Sequence, residues 1–501
     1  MLILKVLIDT NVFIHREGDK LVPDALRDLE KYLKDRGHTI VIHPLSEKEI
    51  RNDPRKERRR KAESKVETYP RVEFPSYPNN ADDEFRRHVS EAADFNERVD
   101  NALLYSVYDD TVDFLVTEDK GIHRKAIDLG LSDQVFNIKE GRDFFEPSQS
   151  RIRGPQSIEK TKVSRLDVSD PIFDSLKEDY PNFTDWLESH PDRTAWINRN
   201  PDGSLGALLI LKPNEVQEIG VEPVLGPERR LKISTLKVSE DRWGSKIGEL
   251  LISIAIREAL YEGNEVMYLT YFLDEEDYFV DLIRSYGFEY VSDKENGEAI
   301  FLKRLKPGPG DNPDPLETTR RFYPSFYDGP EVDKFLVPIQ PVFHNKLFTA
   351  YAKRQPPLGE FTGQFNSEGN AIKKAYLTGA KNKQLEPGDI LLFYRSEDHK
   401  EVTSLGVCER LHYRLTDPDE IIKSVGKRSV FTDSEIENMA QSPTSVILFW
   451  WHFDLENPIS YSLLREEGIL DAPLQVLQAI SEQDYKFIKQ EGGIDERFAL
   501  D

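Results

Sequence analysis

The chain opens with an apolar run over residues 2–8, interrupted only by Lys5, and turns polar at Asp9-Thr10-Asn11. A short unbroken apolar run closed by turn residues predicts a strand buried on both faces, as in a parallel sheet. A second run, 39–43, stops at Pro44, and the helical stretch after it carries Glu47 and Glu49. Helical periodicity returns over 91–108, where Asp100 precedes Leu103 and Leu104 by one turn. Residues 112–116 form a further strand, ending in Thr117-Glu118-Asp119. Alternating strand and helix predict a parallel α/β sheet. Such sheets carry their sites at the carboxyl ends of the strands. Asp9, Glu49 and Asp119 follow three strand ends, and Asp100 reaches the same edge from its helix.

Farther along, 230–238 has strand character, 239–248 is a glycine-containing turn, and 249–261 is a helix with Leu250, Leu251, Ile254 and Leu260 apolar. A strand, a glycine turn and a helix N-terminus in succession make an anion site, because unpaired N–H groups and the helix dipole point at a phosphate. Residues 266–271 predict another strand, and 282–288 a helix ending in Tyr286-Gly287-Phe288. From residue 331 the pattern changes to short apolar runs between Pro and Gly turns: 335–339, 342–348, 390–395, 402–407 and 445–453. Such spacing predicts a small barrel. The Pro- and Gly-dense stretches 147–155 and 306–315 sustain neither helix nor sheet and are expected to be linkers. The expected division is therefore 1–147, 156–305, a linker over 306–330, and 331–501, in line with the roughly three domains this length implies.

Composition narrows the class. With 38% hydrophobic residues the chain can bury several cores. No stretch approaches the ~20 apolar residues of a membrane helix, so no membrane partner is expected. The N-terminal run lacks a basic flank and a small-residue cleavage site. The single cysteine, Cys408, excludes an internal disulfide or a cysteine-ligated zinc. These features point to the cytoplasm. The net charge of −24 opposes a uniformly basic nucleic-acid surface but leaves local basic stretches. The most basic, 51–65, follows Glu49 directly. It reads equally as a phosphate-binding helix or as a solvated helix with Glu57 and Glu63 paired locally.

Carboxylates that converge without cationic partners repel one another, and a divalent cation relieves that repulsion. All-oxygen donors suit Mg²⁺ or Mn²⁺, and the matching chemistry is phosphodiester hydrolysis. An isolated Asp in any of these positions reads equally well as a helix cap or turn residue. Taken together, LIDTNVF (7–13), HPLSEKEI (43–50), VDNALL (99–104) and LVTEDKG (115–121) resemble the PIN-domain nuclease family over about residues 1–147. The resemblance implies a metal-dependent ribonuclease with Asp9, Glu49, Asp100 and Asp119 as metal ligands. Thr117, with Thr10 or Asn11, would orient them. Glu47 competes with Glu49 for the second place; Ile50, an aliphatic residue following Glu49, favours the latter.

The 230–288 layout resembles the GNAT family of acyl-CoA N-acetyltransferases over about residues 160–305. That implies a mixed sheet and acetyl-CoA as cofactor, held by Val238, Arg242, Gly244, Ser245, Lys246, Ile247 and Gly248. The chain departs from the family at Lys246, a usual glycine, and at Trp243, a usual Arg position with Arg242 beside it. It departs again at Ile283, where a Tyr often protonates the leaving thiolate. Tyr278, Tyr286 or water would have to replace it, and Glu218 and Glu222 are the candidates for general base. The C-terminal run, with Gly388-Asp389, then LLFYRS, then Leu405-Gly406-Val407, resembles PUA-like barrels of the EVE and ASCH kind, which bind RNA or modified bases. Phe393, Tyr394, Trp450 and Trp451 would stack bases and Arg395 would meet a phosphate; aromatic residues in a strand read as readily as core.

The fold class expected is thus α/β and α+β multidomain, with a parallel-sheet domain, a mixed-sheet domain and a small β-barrel. The leading functional expectation is a metal-dependent ribonuclease coupled to an acetyl-CoA-binding N-acetyltransferase domain. RNA, tRNA especially, is the substrate that gives all three segments a task. The two resemblances imply a toxin-like or defence role with an antitoxin or other protein partner. One alternative is an N-acetyltransferase of a protein or small-molecule amine with RNA-targeting accessory domains. The other is a non-enzymatic, CoA-sensing RNA-binding regulator.

Overall fold

Four short strands, β1 (Lys5–Ile8), β2 (Thr39–Val41), β3 (Phe114–Val116) and β4 (Val135–Phe136), pair only in parallel, in the order β2-β1-β3-β4. Alternate side chains enter opposite layers, as the pleat requires. Leu7 and Leu115 pack with Leu103, Leu104 and Ile122 on one face. Val6, Ile8, Phe114 and Val116 pack with Leu26, Leu29, Leu33 and Phe145 on the other. Burial on both faces is why β1 and β3 are apolar without alternation. Helices Phe95–Tyr108 and Lys120–Asp128 cover the first face, and Asp24–Asp35 and Ile138–Phe145 the second. Polar caps start them: Asp94 accepts from Glu97 N, Asp119 from Ile122 N, and Asn137 forms a capping box with Glu140.

The computed structural model describes residues 3–9, 11–12, 24–52, 59, 69–146, 157–239, 246–273, 278–349, 351, 365–366, 371–428 and 430–500. The chain divides into two compact units. The first comprises Met1–Ile152, Glu276–Asp281 and Leu415–Pro443; the second comprises Arg153–Glu275, Leu282–Arg414 and Thr444–Asp501. The second and third expected segments thus share a unit, and a piece of the third, with helices Pro418–Val425 and Asp433–Met439, packs within the first.

In the second unit, β5 (Ser157–Lys162), β6 (Thr194–Arg199), β7 (Leu205–Ile219), β8 (Leu225–Val238), β9 (Val266–Tyr271), β10 (Glu289–Asp293) and β11 (Ala299–Arg304) run in the order β10-β11-β9-β8-β7-β6-β5. Every pairing is antiparallel except β8 with β9. That parallel pair requires a crossover, which helix Ile247–Tyr261 supplies.

The expected linker over 306–330 is instead folded. Helix Pro315–Phe322 occupies it, with Thr318, Thr319 and Phe322 buried. Proline is well placed at a first helical position, and Asp314 caps the turn by accepting from Glu317 N. Lys303 Nζ donates to Arg321 O at 3.0 Å and ties this helix to β11. Gly287, at φ +81°, is the only residue type that fits against it, since a Cβ there would meet Arg321 O.

The remaining strands are β12 (Phe326–Tyr327), β13 (Lys334–Ile339), β14 (Phe365–Asn366), β15 (Lys373–Thr378), β16 (Ile390–Arg395), β17 (Glu401–Leu415), β18 (Thr444–Ser460), β19 (Gln478–Ile480) and β20 (Ala499–Leu500). β14 extends the previous sheet beyond β5, and β12 pairs with β20. The expected small barrel is a six-stranded sheet, β15-β18-β17-β16-β13-β19, mixed because β13 and β16 are parallel. The run 342–348, taken as strand-like, is helix Pro341–Leu347. Its buried His344, Leu347 and Phe348 fall at helical spacing, and Pro341 starts it. Among the described residues no helix is long and apolar enough to cross a membrane.

Candidate acidic site and cofactor cleft

β1 and β3 are neighbours and parallel, so their carboxyl ends place Asp9 beside Thr117. Asp9 N donates to Val116 O at 3.0 Å. The Thr117 hydroxyl donates to Asp9 Oδ2 at 2.5 Å and accepts from Asp119 N at 2.8 Å. Asp119 spends Oδ1 on Ile122 N at 2.9 Å, so it is both a helix cap and a member of this edge. Asn11 Oδ1 accepts from Glu118 N at 3.4 Å; Thr10 lies outside the described residues. Asp100 arrives from helix Phe95–Tyr108. Burial, then the charges of Asp119, Asp9 and Glu49, push its carboxyl up to about 8, with Lys125 opposing. Three other acids therefore act on Asp100 near this sheet edge. Lys125 itself donates to Asn101 Oδ1 at 2.7 Å and pairs with Glu97 at 3.4 Å.

Glu47 has a different role. Its carboxylate pairs with Arg51 at 2.5 Å and Arg71 at 2.8 Å, and it is not among the largest influences on Asp100. Arg51, the first residue of the basic stretch, is thus engaged within its own helix; 53–58 and 60–68 lie outside the described residues. Sequence reasoning missed His123, whose Nε2 bonds to Thr117 O at 3.0 Å. Its position one turn after Asp119 on a helix leaving the strand end was the available signal.

An all-carboxylate donor set, with one member's carboxyl raised to about 8 first by burial and then by its acidic neighbours, fits a hard divalent cation in kind. The side chains as placed do not form a ligating group: among the described residues no three or more His, Cys, Asp or Glu are arranged to hold a metal ion. Asp9 and Asp119 each have one oxygen committed to the scaffold.

In the second unit, β8 and β9 pair from Arg230↔Val266 to Ile233↔Leu269 and no farther. Both strands continue, to Val238 and Tyr271. The register of β7 against β8 skips Ser234, a bulge that bends β8 at that point. The strands therefore part at their carboxyl ends. Helix Ile247–Tyr261 begins at the opening: a Cβ on Gly248 would lie 4.0 Å from Val238 Cγ2 and 2.7 Å from Leu282 Cδ2. Gly248 is thus a close-packing glycine. Lys246, at φ +59°, is the N-cap and makes no side-chain cap bond. Val238, Lys246, Ile247 and Gly248 are brought together here; Arg242, Trp243, Gly244 and Ser245 lie outside the described residues.

Two expectations about transfer chemistry, the proton donor Tyr286 and the bases Glu218 and Glu222, need correction. Tyr286 is buried, and its hydroxyl donates to Glu249 Oε2 at 3.0 Å. Glu218 and Glu222 are exposed near the far end of the β7–β8 hairpin, beyond Arg230 and away from the opening. Ile283 is fully buried, a packing residue; the Tyr278 side chain lies outside the described residues. The polar group sequence reasoning missed is Glu298. It accepts from Tyr180 at 2.7 Å, Thr270 at 2.9 Å and Asn296 at 2.9 Å, and also pairs with Lys294. Burial pushes its carboxyl up, but these donors outweigh it and hold it at about 2. Thr270 lies on β9 beyond the parting point, so Glu298 fixes that wall through its hydrogen bonds.

The proposed base-stacking residues are core. Phe393, Tyr394, Trp450 and Trp451 are all buried, and Phe393 packs on Phe449 with ring centroids 4.7 Å apart. Arg395 spends its guanidinium on Asp398 at 2.6 Å and Asn345 at 2.7 Å. A phosphate would have to displace both.

No protein-family model and no curated protein matches the sequence. Among solved structures, part of the chain is similar to ASCH from Zymomonas mobilis, at 11% identity over 31% of this chain and 94% of that one, with a TM-score of 0.23. It is also similar in part to aminoglycoside 6'-acetyltransferase type Ii, at 20% identity over 30% of this chain and 99% of that one, with a TM-score of 0.22. A GNAT-family acetyltransferase from Listeria monocytogenes overlaps at 18% identity over 25% of this chain and 69% of that one, with a TM-score of 0.19. At TM-scores this low, the fold rests on the strand order and register described above.

Proposed function

We propose that the first unit hydrolyses phosphodiester bonds of RNA at the edge formed by Asp9, Glu49, Asp100 and Asp119. The observation that supports this is the Thr117 hydroxyl joining Asp9 and Asp119 at the ends of β1 and β3, where burial and then the charges of Asp119, Asp9 and Glu49 raise the Asp100 carboxyl. These four would hold Mg²⁺ or Mn²⁺, which when bound supplies an activated water and neutralises charge on the scissile phosphate. Thr117 fixes Asp9 and the Asp119 backbone relative to each other. Asp100 holds a proton on its carboxyl near neutral pH and yields it when positive charge enters the cluster. The test is cleavage of tRNA and of unstructured RNA with Mn²⁺, by wild type and Asp9→Asn. Cleavage lost in Asp9→Asn and abolished by chelator supports the reading; equal cleavage by both, or none by wild type, overturns it.

A second reading concerns the opening between β8 and β9. A helix N-terminus beside parting parallel strands, whose N-cap Lys246 makes no side-chain cap bond, offers first-turn N–H groups that suit the pyrophosphate of acetyl-CoA. Calorimetric titration with acetyl-CoA, followed by assay for thiol release with amine acceptors, separates a transferase from a CoA-binding regulator.

A further inference from the structure

The piece of chain between β17 and β18 carries three cations into the first unit. Lys423 pairs with Asp110 at 2.8 Å and Asp113 at 3.1 Å. Lys427 pairs with Glu140 at 2.7 Å and also donates to Val135 O at 3.0 Å. Arg428 pairs with Asp133 at 2.7 Å, and its side chain is almost wholly buried. Gly426 has φ +49°, and a Cβ there would lie 2.7 Å from Asp133 Cβ and Asp133 O. The arm is therefore fitted to this surface in backbone as well as charge.

Of the three, Lys427 lies on a path to the acidic site. Val135 and Phe136 form β4, the edge strand, and Lys427 covers a carbonyl of that edge while its ammonium stands 5.0 Å over the Phe136 ring. Phe136 O accepts from Thr117 N at 2.9 Å. Glu140, the partner of Lys427, acts electrostatically on His123, and His123 bonds to Thr117 O at 3.0 Å. Thr117 is thus held on its N–H side through β4 and on its C=O side through His123, and its hydroxyl fixes Asp9 and Asp119.

We propose that Lys427 is a positioning residue for the acidic site, acting through β4, Glu140 and His123 on the Thr117 backbone. The 415–443 arm thereby makes the geometry of the N-terminal acids depend on a C-terminal piece of the chain. The inference rests on the phosphodiesterase reading for its catalytic consequence, but its structural core is tested without it. In the 501-residue chain, amide hydrogen exchange over 114–119 is compared among wild type, Lys427→Met, Lys427→Arg and Lys423→Met, alongside thermal unfolding and Mn²⁺-dependent RNA cleavage.

Lys427→Met is expected to speed exchange at Thr117 and Asp119. It should lower kcat roughly 10- to 100-fold, the range found for outer partners of metal ligands, with KM for RNA unchanged. Lys427→Arg, which keeps the charge, should restore both. Lys423→Met, whose partners do not touch Thr117, should leave exchange at 117–119 at the wild-type rate. Unchanged exchange in Lys427→Met, no rescue by Lys427→Arg, or equal acceleration by Lys423→Met would each overturn the inference. If Lys427→Met does not fold, Glu140→Gln removes the same charge pair and carries the same expectation. Absence of RNA cleavage by wild type would remove the phosphodiesterase reading alone, and the exchange rates would still decide the role of Lys427.

Discussion

The hydroxyl of Thr117 donates to Asp9 across 108 residues of sequence, at 2.5 Å. Its oxygen also receives the Asp119 N–H, so one side chain joins the ends of two parallel strands. Thr117→Val keeps the shape and removes both bonds, leaving a buried carboxylate and a backbone donor short of partners. A loss of about 1–3 kcal/mol in urea unfolding is expected, with Thr117→Ser close to wild type. Indistinguishable unfolding of Thr117→Val and wild type would show that the hydroxyl does not hold this edge together.

Glu47 and Glu49 stand two positions apart on one helix and do different work. Glu49 adds to the charge on Asp100, whereas Glu47 neutralises Arg51 and Arg71. Glu49→Gln is expected to lower the Asp100 pKa and reduce Mn²⁺-dependent cleavage at least about tenfold. Glu47→Gln should cost about 1 kcal/mol of stability and spare cleavage. Carboxyl titration by NMR and cleavage assays on both variants check this; the reverse pattern would exchange their roles.

Much of the first unit was legible because a parallel sheet buried on both faces leaves plain apolar runs, and the residues ending β1 and β3 are where such sheets keep polar groups. The choice between Glu47 and Glu49 was not settled by helix position, because the deciding partner, Arg71, is 24 residues away. Pro and Gly density misrepresented 306–330, since Pro315 stands at the one helical position where proline is favoured and Asp314 caps it. Phe393 and Trp450 carry aromatic character that serves packing, and an aromatic in a strand looks alike for core and ligand. The arm was invisible: Lys423 and Lys427 meet partners 313 and 287 residues distant, and no local pattern encodes such pairs.

Lys303 gives a pH signature for the second unit. It is fully buried, and burial, partly opposed by Glu289, lowers its pKa from 10.5 to about 7. The unfolded chain keeps this proton up to about pH 10.4, so between the two values it binds more protons than the folded form. Stability therefore rises with pH from about 7 towards 10 through this group, and below 7 the folded protein carries the full cost of a buried ammonium. Lys303→Met removes that slope. Chemical denaturation at pH 7 and pH 9 should show a smaller stability gain in the variant than in wild type; an equal gain would mean the group is solvated.

Tyr286 stands near the usual place of a thiolate proton donor, yet its hydroxyl points inward to Glu249 at 3.0 Å. Its ring is buried edge-on to Trp450, with centroids 6.2 Å apart, and Lys373 lies 5.3 Å over it. A proton donor must come within hydrogen-bond reach of the atom it serves, and a buried hydroxyl committed to a carboxylate does not reach the opening between β8 and β9. Tyr286→Phe is therefore expected to cost about 1 kcal/mol of stability through the lost bond, while leaving acetyl-CoA affinity and any acetyl-transfer kcat unchanged. The same change made at a true donor would lower kcat with little effect on unfolding. A fall of about tenfold or more in kcat, worth about 1.4 kcal/mol of barrier, at an unchanged melting temperature would place Tyr286 in the chemistry and require its hydroxyl to leave Glu249 during turnover.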